Sequence, residues 1–271
     1  MIEQQPAIKA DNQYYFFIFS GAKVLQHASQ PGPILATLEE LSLVQHYQEN
    51  IVQVGRHQGK ACLMVDLEQE QVTQADLELI GLRNMMMQEP EMFGVISRAW
   101  QVALFLRTHR FCGQCGRRMH NVQWELAMAC KNCGHRCYPR ISPCIIVAVR
   151  KGNKILLAQG KHHSNNMYST LAGFVESGET LEQAVHREVK EEVGININNI
   201  RYFGSQPWPF PHSLMCGFLA DWHSGDIDID NDEIIAAEWF DVDKLPTIPP
   251  TFSIAGKLIA ATLSDIAKNE T

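Results

Sequence analysis

The clearest hydrophobic pattern in the chain lies near its middle, where four apolar residues recur at every fourth position: Leu181, Val185, Val189 and Val193. This spacing is typical of one face of an amphipathic helix packed on a core. Thr180 and Gln183 are three residues apart, which suits a reciprocal capping box at the start of a helix. Gly194 can adopt the left-handed conformation that ends one. The pattern therefore predicts a helix of about thirteen residues that begins at Leu181.

Shorter apolar runs elsewhere predict strands, and two further stretches have helical periodicity. The predicted strands cover 14–21, 49–54, 61–67, 144–149, 154–159, 200–204, 214–222 and 237–242. Helices are predicted near 76–84, over 91–107 and over 253–267, and Gly152 with Asn153 predicts a short hairpin turn. The mixture indicates an α+β protein, and no long internal repeat is visible in the sequence. We expect three parts: an N-terminal α+β domain (1–106), a small central module (107–140) and a C-terminal domain (141–271).

Three carboxylates follow each other along the predicted central helix: Glu188, Glu191 and Glu192. Like charges at such spacing oppose helix formation by a few tenths of a kcal/mol per pair, roughly, unless a cation compensates. Oxygen ligands suit Mg²⁺ or Mn²⁺, which also bind phosphate oxygens. The alternative is a solvated acidic face. Because the basic neighbours Arg187 and Lys190 are expected to project round the other side of the helix, we favour a metal site.

Four cysteines form two C-x2-C pairs in the central module: Cys112, Cys115, Cys130 and Cys133. This spacing predicts a zinc ribbon with one structural Zn²⁺ per chain, held by four thiolates. Disulfides or a redox pair are the alternatives, and neither a secretory leader nor a thioredoxin-like context supports them. His135 and Cys137 lie nearby and are expected not to bind the ion. The other cysteines, Cys62, Cys144 and Cys216, are expected to be small buried side chains.

A proline-rich nonapeptide, SQPWPFPHS, occupies residues 205–213. Its three prolines (Pro207, Pro209 and Pro211) restrict the backbone and predict a stiff extended segment. Such a segment would hold Trp208 and Phe210 at low entropic cost, with Gln206, His212 and Ser213 as polar neighbours. This combination favours the gripping of a planar base, although a proline-rich edge segment with buried aromatic side chains is the structural alternative.

The charge distribution changes this view in one respect. The formal net charge of −7 argues against a general nucleic-acid binder. Residues 106–140, however, hold seven basic side chains against Glu125 alone, a formal charge of +6, or +4 with zinc and its thiolates. This basic module could face the phosphates of a ligand or of an RNA, or be an ordinary solvated surface. No apolar run is long enough to span a membrane, and the first residues lack the pattern of a secretory leader, so we expect a cytoplasmic protein.

Residues 173–195, GFVESGETLEQAVHREVKEEVGI, resemble the signature of the Nudix hydrolases. The fixed positions of the motif are Gly173, Glu179, Arg187, Glu188, Val189, Glu191, Glu192, Gly194 and Ile195. The resemblance implies a mixed sheet between helices, an α/β/α sandwich, over 141–271. The nonapeptide, which starts ten residues after Ile195, resembles the segment that marks the NADH pyrophosphatase branch of this family.

The resemblance also implies roles for individual residues. Glu188, Glu191 and Glu192 would bind Mg²⁺ or Mn²⁺ with the carbonyl of Ala172, and Arg187 would orient Glu179. Glu233 would join the metal site, although Asp228, Asp230 and Asp232 are close rivals. Further implied substrate contacts, besides the nonapeptide, are Phe174, Glu125, Tyr138 and Ala255. The general base is left open between Glu191 and Glu233.

The expected activity is metal-dependent hydrolysis of the diphosphate linkage of NADH or NAD to nicotinamide mononucleotide and AMP, with removal of an NAD cap from RNA as a related reaction. Relatives suggest a homodimer. One alternative is a Nudix hydrolase that prefers ADP-ribose or another dinucleotide, and another is a ligand-sensing regulator that uses the ribbon for interactions. An NAD-dependent oxidoreductase is disfavoured because the chain lacks G-x-G-x-x-G between a strand and a helix.

Overall fold

The computed structural model describes residues 8–69, 72, 74–122, 124–161, 166–229 and 232–269. The chain divides into two compact units, Met1–Arg140 and Ile141–Thr271.

The first unit is built on a six-stranded sheet with helices at its side. Its strands are β1 (Tyr14–Ser20), β2 (Lys23–His27), β3 (Ile34–Ala36), β4 (Val52–His57), β5 (Lys60–Asp66) and β6 (Leu77–Gly81). Their order is β4-β5-β1-β2-β6, and β3 pairs with β1. The helices are α1 (Ser42–Gln45), α2 (Leu82–Gln88) and α3 (Phe93–Thr108), with 3-10 turns at Gln48–Asn50 and Pro90–Met92.

Two predictions for this unit need correction. The stretch 76–84 is not one helix, because Leu77–Gly81 forms the edge strand β6 and only then does α2 begin. Leu77 and Leu79 alternate and pack on the core, and β6 pairs with β2 along its whole length. The strand predicted over 49–54 begins at Val52, since a 3-10 turn precedes it. The helix predicted over 91–107 is confirmed as α3, which buries Ile96, Ala99 and Ala103.

The first unit also holds the cysteine-rich module, which contains a small three-stranded sheet. Its strands are β7 (His120–Asn121), β8 (Met128–Ala129) and β9 (Arg136–Cys137), paired in that order. Such short strands cannot bury a large core. The cluster of buried residues here is small and includes Cys112 and Cys130.

The second unit is a mixed six-stranded sheet between two long helices, as the resemblance implied. Its strands are β10 (Ser142–Lys151), β11 (Lys154–Gly160), β12 (Leu171–Phe174), β13 (Asn196–Trp208), β14 (Ser213–Ser224) and β15 (Ile234–Asp241). Alternate residues of β10 point to opposite faces: Ile145 joins the cluster that contains Val185 and Val189 of α4 (Leu181–Val193), while Ile146 joins the cluster that contains Leu258 of α5 (Ile254–Asn269).

The two sheets have the same topology, a repeat that the sequence does not reveal. The order in the second unit is β13-β14-β10-β11-β15, with β12 paired to β10. In both sheets the first strand pairs antiparallel with the next two and parallel with the fifth, and the sixth strand is followed later in the chain by a long helix. The difference lies between the third and fourth strands, where the second unit has α4 and the first has only α1 and a 3-10 turn.

Candidate active site and zinc site

The helix α4 begins and ends at the residues predicted from the sequence. Gln183 N donates to Thr180 Oγ1 at 3.2 Å, and Thr180 N donates to Gln183 Oε1 at 2.8 Å, which completes the capping box. Gly194 has φ 75°, the left-handed conformation, and closes the helix after Val193. The helix therefore covers the thirteen residues predicted from the sequence.

Two of the acidic residues of α4 are buried at the edge of its apolar stripe. Glu188 and Glu192 precede Val189 and Val193, and they are only 9% and 7% exposed. Burial raises the pKa of Glu188 above its ordinary value, since the charged form loses water. Buried carboxylates require ion pairs, hydrogen bonds or a cation, and this donor set is suited to a hard divalent cation.

The carboxylate of Glu188 lies directly against the backbone of Gly173 in β12. A Cβ added at Gly173 would overlap this carboxylate. The glycine of the motif is thus needed for space, since its φ is not in the left-handed region. Ala172, whose carbonyl is a predicted ligand, precedes it in β12.

A single guanidinium joins the acidic helix to the loop before it. Arg187 makes two bonds to Glu179, at 2.8 Å (Nε to Oε1) and 2.9 Å (Nη2 to Oε2). Its Nη1 also donates to Glu188 Oε1 at 2.8 Å and to Glu191 Oε2 at 2.9 Å, and its Nη2 donates to the carbonyl of Phe174 at 2.9 Å. Hydrogen bonds from Arg187 are the main cause that lowers the pKa of Glu179.

The expectation that Arg187 projects away from the carboxylates is therefore wrong. Its long side chain turns back over the helix, because three carboxylates and a carbonyl converge there and attract it. Lys190 does lie apart, and its Nζ donates to the carbonyl of Gly194 at 2.6 Å. This contact suits a cation at the carboxyl end of a helix.

The other acidic candidates are only partly brought together. Glu191 and Glu233 lie close enough to Glu188 to raise the pKa of its carboxyl group. Glu233 is exposed in the turn before β15, and its carbonyl accepts from Lys161 N at 2.9 Å. Among the described residues, however, the four cysteines form the one group of three or more candidate ligands whose atoms all lie within 4.8 Å of one another.

Of the rivals to Glu233, Asp228 lies against the carboxyl end of α4. Its N–H donates to the carbonyl of Val193 at 3.0 Å, and its Cβ would be 3.0 Å from a Cβ added at Gly194. This position is about a turn and a half beyond Glu188 along the helix. Asp232 is exposed in the same turn as Glu233, and Asp230 lies outside the described residues.

The nonapeptide is a hairpin rather than one extended segment, which corrects the prediction. Gln206 to Trp208 end β13, residues 209–212 form the turn, and Ser213 begins β14. Pro207 and Trp208 pair with Leu214 and Ser213. The reversal brings the rings of Trp208 and Phe210 into an edge contact, with 5.4 Å between centroids.

The side chain of Gln206 contacts the segment that leads into α5. Its Nε2 donates to the carbonyl of Phe252 at 3.0 Å, and its Oε1 accepts from Ile254 N at 2.7 Å. Ile254 begins α5 and Ala255 follows it. Both polar atoms of Gln206 thus hold the start of this helix, a connection that the sequence did not indicate. His212 likewise bonds Ser142 at the start of β10, at 3.1 Å from Nδ1 to Oγ.

The four cysteines of the first unit form two matching turns around one point. Gly116 N donates to the carbonyl of Cys112 at 2.8 Å, and Gly134 N donates to that of Cys130 at 2.9 Å. The Sγ atoms of Cys112 and Cys133 are 3.6 Å apart, and those of Cys115 and Cys130 are 3.5 Å apart. None of the eight cysteines forms a disulfide. Four sulfurs converging in this way fit a tetrahedral Zn²⁺ site.

His135 and Cys137 stand beside this site and contact each other, with 3.2 Å between Nε2 and Sγ. Neither belongs to the group of converging ligand atoms. Cys62, Cys144 and Cys216 are buried, as expected.

The remaining candidate contacts differ in exposure. Phe174 and Tyr138 are 54% and 53% exposed, whereas Ala255 is buried. Glu125 accepts from Arg136 Nη1 at 2.8 Å. Beside it Trp124, which the sequence reasoning did not select, is 72% exposed. No helix in the described part of the chain is long and apolar enough to cross a membrane.

Comparison with known proteins agrees with this geometry. Residues 139–261 match the NUDIX domain, and residues 107–138 match the NADH pyrophosphatase zinc ribbon domain. The chain is 44% identical to a NAD-capped RNA hydrolase NudC of Vibrio atlanticus over 96% of this chain and 94% of that protein. It is 54% identical to a protein of the same description from Haemophilus influenzae, over 69% and 72% of the two chains. A Klebsiella pneumoniae relative, also described as NAD-capped RNA hydrolase NudC, is 46% identical over 80% and 82%.

The matched ribbon contains the four converging cysteines, and the matched domain contains β12, α4 and the nonapeptide hairpin. The 44% identity to the Vibrio atlanticus protein extends over nearly the full length of both chains, which shows that the two belong to one family. The chain belongs to the Nudix hydrolase family, in the branch that carries the NADH pyrophosphatase zinc ribbon.

Proposed function

We propose that this protein hydrolyses the diphosphate linkage of NADH and NAD, releasing nicotinamide mononucleotide and AMP, and that it removes the NAD cap from RNA. The observation that carries the proposal is the acidic helix α4, with Glu188 and Glu192 buried next to Gly173, in one domain with the nonapeptide hairpin. The relatives described as NAD-capped RNA hydrolases support the choice of substrate.

The buried carboxylates fit a catalytic divalent cation. Glu188 and Glu192 would hold it, with Glu191, Glu233 and the carbonyl of Ala172 as further ligands, and the cation would be Mg²⁺ or Mn²⁺. When bound, such a cation neutralises diphosphate oxygens and lowers the pKa of water. Because Gly173 has no Cβ, the Glu188 carboxylate can occupy the space directly beside its backbone.

The other residues of the motif position this carboxylate and handle the proton. Arg187 ties Glu179, and with it the loop, to the helix through two bonds. Water attacks phosphorus, the bond to the bridging oxygen breaks, and the leaving phosphate takes the electron pair. Glu191 and Glu233 are the candidate bases for the proton of the water, since both lie near Glu188 and both are exposed to solvent.

Substrate recognition is proposed for the aromatic side chains of the second unit. Trp208 and Phe210, held by the hairpin, and the exposed ring of Phe174 provide faces for a base or a nicotinamide ring. We propose that Gln206 acts by fixing Ala255 at the start of α5. Pro207, Pro209, Pro211, His212 and Ser213 shape the hairpin, and Glu125 and Tyr138 remain proposed contacts.

The direct test offers NADH, NAD, ADP-ribose and NAD-capped RNA in parallel to the purified protein with Mg²⁺ or Mn²⁺, with products identified by mass spectrometry. AMP together with reduced nicotinamide mononucleotide is the expected result from NADH. The test variant is Glu192→Gln, which removes the carboxylate charge with little change of shape and should abolish most turnover. Preferential cleavage of ADP-ribose would replace the proposed substrate, and full turnover by the Glu192→Gln protein would refute the site.

Three broader expectations also belong to this proposal. We propose domain boundaries at 106/107 and 140/141, a cytoplasmic location and a homodimer. Light scattering coupled to gel filtration tests the dimer, for which a mass near twice 30.6 kDa is expected. A mass of one chain would contradict it.

A further inference from the structure

The first unit contains a large cavity, and none of the carboxylates proposed to hold the catalytic cation lines it. Its volume is about 790 Å³. Its walls come from the ends of β4 and β5, from α3 and from the stretch 118–128 of the cysteine-rich module. Sites for small molecules typically occupy about 300 to 1,000 Å³. The cavity is therefore large enough for a nucleotide.

The charges at the cavity leave two arginines in excess. Four arginines line it, and two of them are neutralised: Arg107 pairs with Asp66 at 2.6 Å and Arg110 pairs with Glu68 at 2.7 Å. Glu125 also lines the cavity but pairs with Arg136. Arg98 and Arg118 are exposed and form no ion pair with any carboxylate that the structure describes. The cavity can thus attract an anion at these two side chains.

The rest of the wall combines apolar and amide groups. Val102, Met119 and Met128 contribute apolar surface from the inner side of the cavity. Asn50 and Asn121 add side-chain amides, which can donate to and accept from the edge of a base. An anion-binding site beside an apolar surface with amides suits a phosphate joined to a heterocycle better than it suits an acidic peptide.

We infer that this cavity binds a nucleotide unit, with the phosphate on Arg98 and Arg118 and the base against the apolar wall. The inference rests on the proposed function in one respect: the nucleotide in the cavity would come from the RNA chain that follows the NAD cap. A free mononucleotide has the same chemistry and is the other source. Neither source requires the residues of α4.

The test measures binding of a fluorescent, uncapped single-stranded RNA of ten nucleotides to the full chain by anisotropy, without added divalent cation. The double variant Arg98→Ala/Arg118→Ala should bind about tenfold more weakly, and its slope of log Kd against log salt should fall by about 0.7, the value for one single-strand phosphate that is no longer neutralised. The control, Arg117→Ala/Lys131→Ala, removes the same charge from exposed positions that do not line the cavity. It should change Kd by less than about twofold.

The outcomes separate this inference from the proposed function. Because the RNA carries no cap and no turnover is needed, the binding result stands whether or not the protein hydrolyses NADH. Equal weakening by both double variants, or none by Arg98→Ala/Arg118→Ala, would overturn the inference. Arg98→Lys/Arg118→Lys should restore most of the salt slope, and melting temperature with zinc content checks that each variant is folded.

A competition arm distinguishes the two sources. If AMP displaces the RNA from the unaltered protein and has no effect on RNA bound to Arg98→Ala/Arg118→Ala, the site takes a mononucleotide. If AMP does not compete while the arginine dependence persists, the site takes the RNA chain. A nucleotide site would be refuted if an acidic peptide displaced the RNA, this displacement required Arg98 and Arg118, and AMP displaced none.

Discussion

Gly173→Ala tests the space that the active site requires. The added Cβ would overlap the carboxylate of Glu188, so this carboxylate must move by roughly 2 Å to reach an ordinary carbon contact. It cannot swing freely, because it is only 9% exposed and is bound by Arg187. Misplacement of a reacting group by about 1 Å can reduce a rate about 100-fold, which corresponds to about 2.7 kcal/mol of transition-state free energy.

The assay is steady-state hydrolysis of NADH at saturating Mg²⁺, with the melting temperature measured alongside. Gly204→Ala is the matched control, since a Cβ at this position in β13 meets no atom within 4 Å. We expect the Gly173→Ala protein to melt as a folded protein and to lose about 100-fold in kcat, whereas Gly204→Ala retains its rate. Equal rates for the two variants would refute the argument that the glycine makes room for Glu188.

Three further predictions concern the hairpin, the zinc site and Glu188. Gln206→Ala removes two hydrogen bonds to the start of α5, so the free energy of unfolding in urea should fall by about 2 kcal/mol, and no change would contradict the positioning role. Cys112→Ser/Cys115→Ser should lower zinc from about one ion per chain to none, measured by elemental mass spectrometry, and retained zinc would exclude these ligands. Burial raises the pKa of Glu188, and a proton on this carboxylate competes with a bound cation. Mg²⁺ affinity should therefore decline as the pH falls through the raised pKa. This decline should begin at a higher pH than it would for an ordinary glutamate. Titration of activity with Mg²⁺ at several pH values measures this, and an affinity independent of pH down to the ordinary range would contradict it.

The parts of the fold that the sequence predicted well are those defined by local interactions. The helix α4 was predicted at both ends because Thr180, Gln183 and Gly194 act within one turn of their own positions. The zinc ligands were predicted because each C-x2-C pair forms its own turn. In both cases the chemistry is contained in a few consecutive residues.

The errors arose where distant residues decide the outcome. Strand β6 was predicted as helix, and its identity depends on pairing with β2, some fifty residues earlier. The hairpin of the nonapeptide depends on the pairing of β13 with β14, while its prolines alone suggested an extended chain. Helical periodicity placed Arg187 on the side away from the carboxylates, and its true position depends on a loop that brings β12 and α4 together; only the resemblance implied its pairing with Glu179. The shared topology of the two sheets could not be predicted from sequence motifs, because the motif residues lie on α4 and the first unit has no counterpart of this helix.

The hydrogen bonds of Arg187 to four residues have a consequence for how the protein can be made and stored. Its guanidinium already offsets the repulsion among Glu179, Glu188 and Glu191, so the acidic helix carries an internal counter-charge from the moment it forms. Folding of this domain does not have to wait for Mg²⁺ or Mn²⁺, and a mild chelator should leave an inactive protein that magnesium revives. The ribbon differs, because no guanidinium contact to its four sulfurs is found in the described part of the chain, and we expect its small sheet to need zinc. One chain thus couples one metal to its activity and another to its integrity.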